Sequence, residues 1–259
     1  MYRLATAPQS IGGVLDSGFR LYKTCLKHTY VLAVAAALAA APVNRAARVL
    51  EADPQSMGAV GVIMIGVLFA IVVSVVFYGA ITSRIAEISE GSVPSAGASL
   101  GTGWRRGPAL FGAYLCYGIA VLIGLLLLIV PGLYLMVTFA FAPFAAVIER
   151  KGPVESLFYS RDLVRGHWWR TAGLVTVIGI ILVAVTMLLS IVSTVPLLMN
   201  PDMILDPGIF PWYVDYLVSP LLSGVFTPLW IALFLAVFQD LKLRHEGGDI
   251  AARIAAADA

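Results

Sequence analysis

Long stretches without a single charge alternate along this chain with short clusters of arginine and lysine. The uncharged runs cover residues 29–43, 57–82, 108–148, 171–195 and 216–238. A helix needs about 17–25 apolar residues to cross a ~30 Å hydrocarbon layer. The first run reaches that length once 27–28 are included. The third is too long for one crossing and carries a strong turn signal at Pro131 and Gly132. The pattern therefore predicts an all-α bundle of six transmembrane helices, at 27–43, 57–82, 109–130, 132–148, 171–195 and 216–238. Together they form one integral membrane domain, 1–259, ending in a cytoplasmic tail, 239–259. Between the last two spans, Pro196, Pro201, Pro207 and Pro211 exclude one continuous helix. With Trp212 and Tyr213, that stretch reads as a loop at the membrane interface, where aromatic rings prefer to sit.

The polar positions add a second layer. In 11–27, Ile11, Val14, Leu15, Tyr22, Cys25 and Leu26 share one helical face, and Asp16, Arg20, Lys23 and Lys27 the opposite one. Similar segments fall at 94–106, ending in Trp104, Arg105 and Arg106, and at 153–165, with Val154, Leu157, Phe158 and Val164 as its stripe. Each leads into a span, as an amphipathic helix lying in the headgroup plane does. The expectation is a threefold repeat of in-plane helix, span, turn and returning span, with the in-plane helices on the cytoplasmic side.

Composition supports the membrane reading. The chain is 60% hydrophobic and 12% charged, with a mean hydropathy of +0.91. A soluble domain carries roughly twice that share of charge. The net charge is only +2, but its distribution is lopsided. Under the six-span reading, one face collects fifteen of the seventeen Lys and Arg residues, and the other only Arg45 and Arg48. The positive-inside bias makes the first face cytoplasmic, and with it both termini. The other face carries Glu51, Asp53, Asp202, Asp206 and Asp215. The basic residues sit beside apolar spans rather than in a solvated patch, which excludes a nucleic-acid partner. The first residues lack the basic, apolar and cleavage regions of a removable signal peptide.

Candidate chemistry is sparse. No charged residue falls in the interior of a predicted span, which argues against proton- or sodium-coupled pumping. His28, His167 and His245 lie at predicted membrane edges, none spaced from another His or Cys as metal ligands are. Cys25 and Cys116 are isolated. Glu87 and Glu90, close to Arg84, read as a solvated helix face. The sequence predicts no catalytic residue, no metal and no cofactor. Trp104, Arg105 and Arg106, and Trp168, Trp169 and Arg170, pair an interfacial ring with cations that meet anionic lipid. With Arg20, Lys23, Lys27 and Arg165 they form a candidate rim for anionic headgroups or a protein partner. Pro143, Pro220 and Pro228 fall inside predicted spans and mark candidate hinges or a cavity. Ala35 and Ala39, and Ala36 and Ala40, have the small-xxx-small spacing of close helix packing.

Three stretches carry a family resemblance: SIGGVLDSGFRLYKTCLKH at 10–28, IVPGLYLMVTFAFAPFAAVIERKGPVESLFYSRDLVRGHWWR at 129–170, and PLWIALFLAVFQDLKLRHEGG at 228–248. In this order the chain resembles the bacterial glycerophosphoryl diester phosphodiesterase membrane domain family. The resemblance implies a multi-pass protein of the bacterial cytoplasmic membrane and a stand-alone membrane domain, because the catalytic barrel of the namesake enzymes has no counterpart here. Two functions remain open. One is a non-catalytic module that binds lipid or a membrane or cytoplasmic protein through the basic, Trp-rich rim. The other is a transporter or lipid-translocating protein using the proline-bent spans four and six.

Overall fold

A computed structural model describes residues 7–199 and 212–257, and over them the chain is all-helical. In order come α1 (Ile11–Ala52), α2 (Met57–Ser89), α3 (Ala96–Leu127), α4 (Ile129–Thr138), α5 (Ala142–Ile148), α6 (Pro153–Val164) and α7 (Trp168–Met199). A π-helical turn (Val214–Val218) then leads into α8 (Ser219–Ala257). Three of the long helices open on a serine. Ser10, Ser56 and Ser95 each accept a hydrogen bond from the backbone N–H three residues on, which satisfies a donor that the first helical turn leaves free. Six segments are long and apolar enough to cross a membrane: Ile11–Glu51, Met57–Ser89, Ala96–Leu127, Ile129–Ile148, Trp168–Ile191 and Val214–Gly247. Of the prolines expected in the loop after span five, Pro196 falls instead within α7, while Pro201, Pro207 and Pro211 lie outside the described residues, as do Arg3, Asp202 and Asp206.

The helices run antiparallel in pairs. A Cβ on Gly18 would meet Leu233, and one on Gly224 would meet Tyr30 and Val34, so α1 and α8 pack along each other in opposite directions. On α2 and α3 the matching contacts are Gly79 with Gly103 and Val75 with Gly107. A Cβ on Gly103 would overlap the Val76 carbonyl oxygen, so these two backbones touch without a side chain between them.

At one end of the bundle these pairings build a packed core. Val14, Leu21 and Cys25 of α1, Ile81, Ile85 and Ile88 of α2, Phe144 of α5, Leu163 of α6, and Phe234 and Phe238 of α8 are all buried there. Phe144 stacks on Phe234 and Phe238 with ring centroids 6.2 Å apart in each case. Towards the other end the same helices turn large apolar side chains outward, among them Ile65, Leu68 and Phe69 of α2 and Leu126 and Leu127 of α3.

Several sequence expectations change. Segment 11–27 is not a separate helix: α1 runs unbroken for 42 residues. The expected faces are real, with Asp16, Arg20, Lys23 and Lys27 exposed. However, the apolar face buries Val14, Leu21 and Cys25 in the protein core. Segment 94–106 likewise continues into α3, and its inward stripe is Ser99, Gly103 and Gly107. Only the third segment forms its own helix, α6, so the element order does not repeat three times.

The turn between spans three and four falls at Leu128, where the backbone is extended, three residues before Pro131. Pro131 instead occupies the first turn of α4, where its missing N–H removes no helical bond. Gly132 packs on Gly124, closing that hairpin. The fourth span is itself broken, with α4 ending at Thr138 and α5 starting at Ala142. Ser160 of α6 holds the break. Its hydroxyl donates to the Thr138 carbonyl at 2.8 Å and accepts from the Phe141 N–H at 3.2 Å. Asp215, expected on an acidic outer face, is buried in the π-helical turn.

Candidate functional site

Three helix ends meet around a cavity of about 170 Å³. Its lining is Tyr134 and Thr138 from the end of α4, Arg161 and Val164 from the last turn of α6, and Arg165, Gly166 and Trp168 from the turn into α7. The chain reverses between α6 and α7 because Gly166 adopts φ 84°, a left-handed conformation that a Cβ would strain. That reversal brings the Trp168 ring onto Tyr134, stacked at 5.4 Å, and lets Trp168 Nε1 donate to the Tyr134 carbonyl at 3.4 Å. Trp169 meets Trp168 edge-on at 4.8 Å and is itself 84% exposed.

Arg161 and Arg165 are one helical turn apart and both exposed. Among the described residues, neither guanidinium makes an ion pair or a hydrogen bond. No carboxylate lines the cavity. Two uncompensated cations beside an aromatic stack favour an anion, and guanidinium groups match the paired oxygens of a phosphate. No His, Cys, Asp, Glu or Lys is among the lining residues. Among the described residues no group of three or more His, Cys, Asp or Glu could hold a metal.

The other predicted rim residues are scattered or already engaged. Arg20 pairs with Asp16 at 2.8 Å on the outer face of α1, with Lys23 and Lys27 exposed further along it. Trp104 borders an apolar groove of about 470 Å³ between α2 and α3, together with Leu68, Val75 and Phe111. Arg105 is exposed, whereas Arg106 donates to the Arg150 carbonyl at 3.0 Å.

Arg170 is the clearest correction. Its guanidinium donates to Asp240 at 3.0 Å and to the Gln9 carbonyl at 2.7 Å. Arg244 reaches the same two groups at 2.9 and 2.7 Å, and Asp240 accepts the Gln9 N–H at 2.8 Å. This clasp ties the segment before α1 to α7 and α8, so Arg170 is not free to meet a headgroup.

Nor do the prolines shape a common site. Pro143 lies in the first turn of α5, beside the break that Ser160 holds. Pro220 is buried in the first turn of α8, and Pro228 is buried within that helix. None of the three lines the cavity or the groove. The transport reading looks to Tyr78, Tyr114, Tyr117 or Thr138 as cavity lining; Thr138 does line the cavity, whereas the three tyrosines contact one another and their neighbours. Tyr78 meets Tyr114 edge-on at 5.7 Å and accepts from Trp230 Nε1 at 3.2 Å, and Tyr117 donates to the Met136 carbonyl at 3.4 Å.

Of the ten predicted rim residues, the cavity gathers only Arg165 and Trp168. It adds Arg161, Tyr134 and Thr138, which sequence reasoning left out of the rim. The four-residue spacing of Arg161 and Arg165 was the available signal.

The family described as "Domain of unknown function (DUF7847)" matches residues 57–241, from the start of α2 to the middle of α8. The matched stretch contains the whole cavity and leaves out α1. No curated protein matches the chain, and no solved structure does.

Proposed function

For a chain that belongs to the DUF7847 family, and so takes no described activity from it, we propose a non-catalytic integral membrane module that binds anionic lipid headgroups in the Arg161–Arg165–Trp168 cavity. The observation that carries this reading is the pair of unpartnered guanidinium groups converging on the Tyr134–Trp168 stack. The proposed setting is the bacterial cytoplasmic membrane, with six spans and both termini on the cytoplasmic side. The six apolar helices and the fifteen-to-two division of basic residues support it.

In that setting α6 lies along the cytoplasmic headgroup layer. It buries Ser156, Ser160 and Leu163 against the protein and turns Val154 and Phe158 outward, as a helix resting on a bilayer does. The first turn of α6 is pinned by Glu155, which accepts from Lys151 Nζ at 2.7 Å and from the Gly152 N–H at 3.4 Å. The lysine hydrogen bond, with that of Gly152, holds the Glu155 carboxyl below its usual range. The resemblance to glycerophosphoryl diester phosphodiesterase membrane domains adds a further part of the proposal: a stand-alone module that serves a separately encoded partner.

The test is lipid binding by the full chain in nanodiscs, followed by native mass spectrometry. Each basic residue at a bilayer surface contributes about 1 kcal/mol of attraction to anionic lipid, so Arg161→Ala with Arg165→Ala should cut the preference for phosphatidylglycerol over phosphatidylcholine by roughly tenfold to thirtyfold. An unchanged preference would remove the cavity from the function. One observation favours translocation as a second reading: the break between α4 and α5 resembles the discontinuous helices of transporters. Ser160 already engages the backbone groups freed there, which leaves them unavailable to a passing substrate.

A further inference from the structure

The Arg161–Arg165 cavity meets a ligand almost entirely through guanidinium N–H groups. The Thr138 hydroxyl donates to the Tyr134 carbonyl at 2.7 Å, and the Trp168 indole N–H is given to the same oxygen. Of the side-chain donors in the lining, that leaves the Tyr134 phenol and the two arginines. Arg161 and Arg165 stand one helical turn apart, with about 5–6 Å between their Cβ atoms. Both line the one cavity of about 170 Å³, so both side chains reach a single group held inside it. Each guanidinium presents a planar fork of two parallel N–H bonds.

Nearby groups leave most of this charge in place. Tyr134 is the only other titratable residue in the lining. Asp162 and His167 belong to the same stretch of chain but do not line the cavity, and Asp162 pairs with neither arginine. Arg170 is held by Asp240 and Gln9. The last carbonyls of α6 carry the negative end of its helix dipole, about half a charge, against two full positive charges. The balance calls for more than one negative charge on the ligand. A phosphodiester headgroup supplies one charge and a single pair of terminal oxygens. A phosphomonoester supplies about −1.5 to −2 at neutral pH and has three terminal oxygens. Three oxygens make three pairs, so the two forks can each engage a different pair on the same phosphate.

We propose that this cavity selects a lipid phosphomonoester, the headgroup of phosphatidate, over the phosphodiester headgroups of other anionic lipids. The monoester is carried by a lipid because the surroundings suit a bilayer surface: Trp169 beside the cavity and Val154 and Phe158 on the outer face of α6 are all exposed. This selectivity rests on the cavity being a lipid site at all, and narrows that reading to one headgroup chemistry.

The test lets phosphatidate and phosphatidylglycerol compete at equal mole fraction for the full chain in phosphatidylcholine nanodiscs, at about pH 8, where the monoester is doubly ionised. Bound lipid is read by native mass spectrometry. The parent should retain phosphatidate over phosphatidylglycerol by roughly tenfold, the effect of one further charge-assisted hydrogen bond. Arg161→Lys with Arg165→Lys keeps both charges and loses both forks. It should preserve the preference for phosphatidylglycerol over phosphatidylcholine, yet bring phosphatidate and phosphatidylglycerol to within about twofold of each other. Lys23→Ala with Lys27→Ala, on the exposed face of α1, should leave the tenfold preference in place. Equal retention of the two anionic lipids by the parent overturns the proposal, while an arginine-dependent preference for phosphatidylglycerol over phosphatidylcholine would still uphold the lipid site. A phosphatidate preference that survives the lysine substitutions, or that is lost without Lys23 and Lys27, assigns it to charge density and overturns the proposal as well. A last arm adds methyl phosphate, the same group without acyl chains. Binding of methyl phosphate by a parent that does not retain phosphatidate would assign a soluble ligand and overturn the lipid source.

Discussion

Asp240 is the residue on which most polar contacts converge. Buried to 4% exposure, it holds Arg170, Arg244 and the Gln9 N–H, and the two arginines close the ring on the Gln9 carbonyl. Removing one partner from a buried ionic group leaves the others uncompensated. Here the arginines remain about a fifth exposed, which softens the loss. Asp240→Ala should therefore destabilise the fold by roughly 2–3 kcal/mol in a denaturant titration, with Asp240→Asn costing less because it keeps an acceptor in place. Equal stability of Asp240→Ala and the parent would show the clasp to be ornamental. The sequence displayed all three charged residues but not their meeting, since Arg170 and Asp240 stand 70 positions apart. Arg84 is the converse case: its own helix carries Glu87 and Glu90, yet its side chain is buried and forms an ion pair with neither.

At the scale of elements, close packing decides which helix faces meet. The sequence pointed to the alanines of α1, but Ala35, Ala36, Ala39 and Ala40 are only half-buried. The backbones approach instead at Gly79 and Gly103, where no side chain separates α2 from α3. Overpacking a tight site costs about 1–3 kcal/mol or more. Gly103→Ala should accordingly lower the unfolding midpoint, whereas Gly101→Ala, on the open side of the same helix, should hold or raise it through the better helix propensity of alanine. If both substitutions behaved alike, the α2–α3 contact would not be limiting. Glycine spacing was visible in the sequence. Which glycines face a neighbour depends on the rotation of two helices about their axes, and that follows from the packing of all the others.

For the whole molecule, the two ends of the bundle differ. One end is a dense core where the amphipathic half of α1, the end of α2, α5, α6 and the middle of α8 meet. The other presents apolar side chains outward. α1 extends about 63 Å at 1.5 Å per residue, twice the ~30 Å hydrocarbon thickness, so the proposed topology has its amphipathic half projecting as part of a cytoplasmic core. A reporter fused after the C-terminus should be active only in the cytoplasm. A cysteine placed at the exposed Met57 should react with an impermeant reagent added from outside. A periplasmic C-terminal reporter would invert the molecule and move the Arg161–Arg165 cavity to the opposite leaflet.

The sequence by itself determined the number of apolar helices long enough to cross a membrane, because hydrophobicity and charge are summed locally over some twenty residues. It also displayed the amphipathic face of 11–27, since helical periodicity is a property of one segment. Tertiary structure decided what that face meets. Apolar positions of that segment read the same whether lipid or protein covers them, and here the protein core covers Val14, Leu21 and Cys25. It likewise decided which cations are free. Arg106 and Arg170 were spent on a distant carbonyl and a distant carboxylate, Arg161 and Arg165 were left unpaired at one cavity, and Arg84 was buried. Pairing depends on partners far along the chain, and no local pattern encodes them.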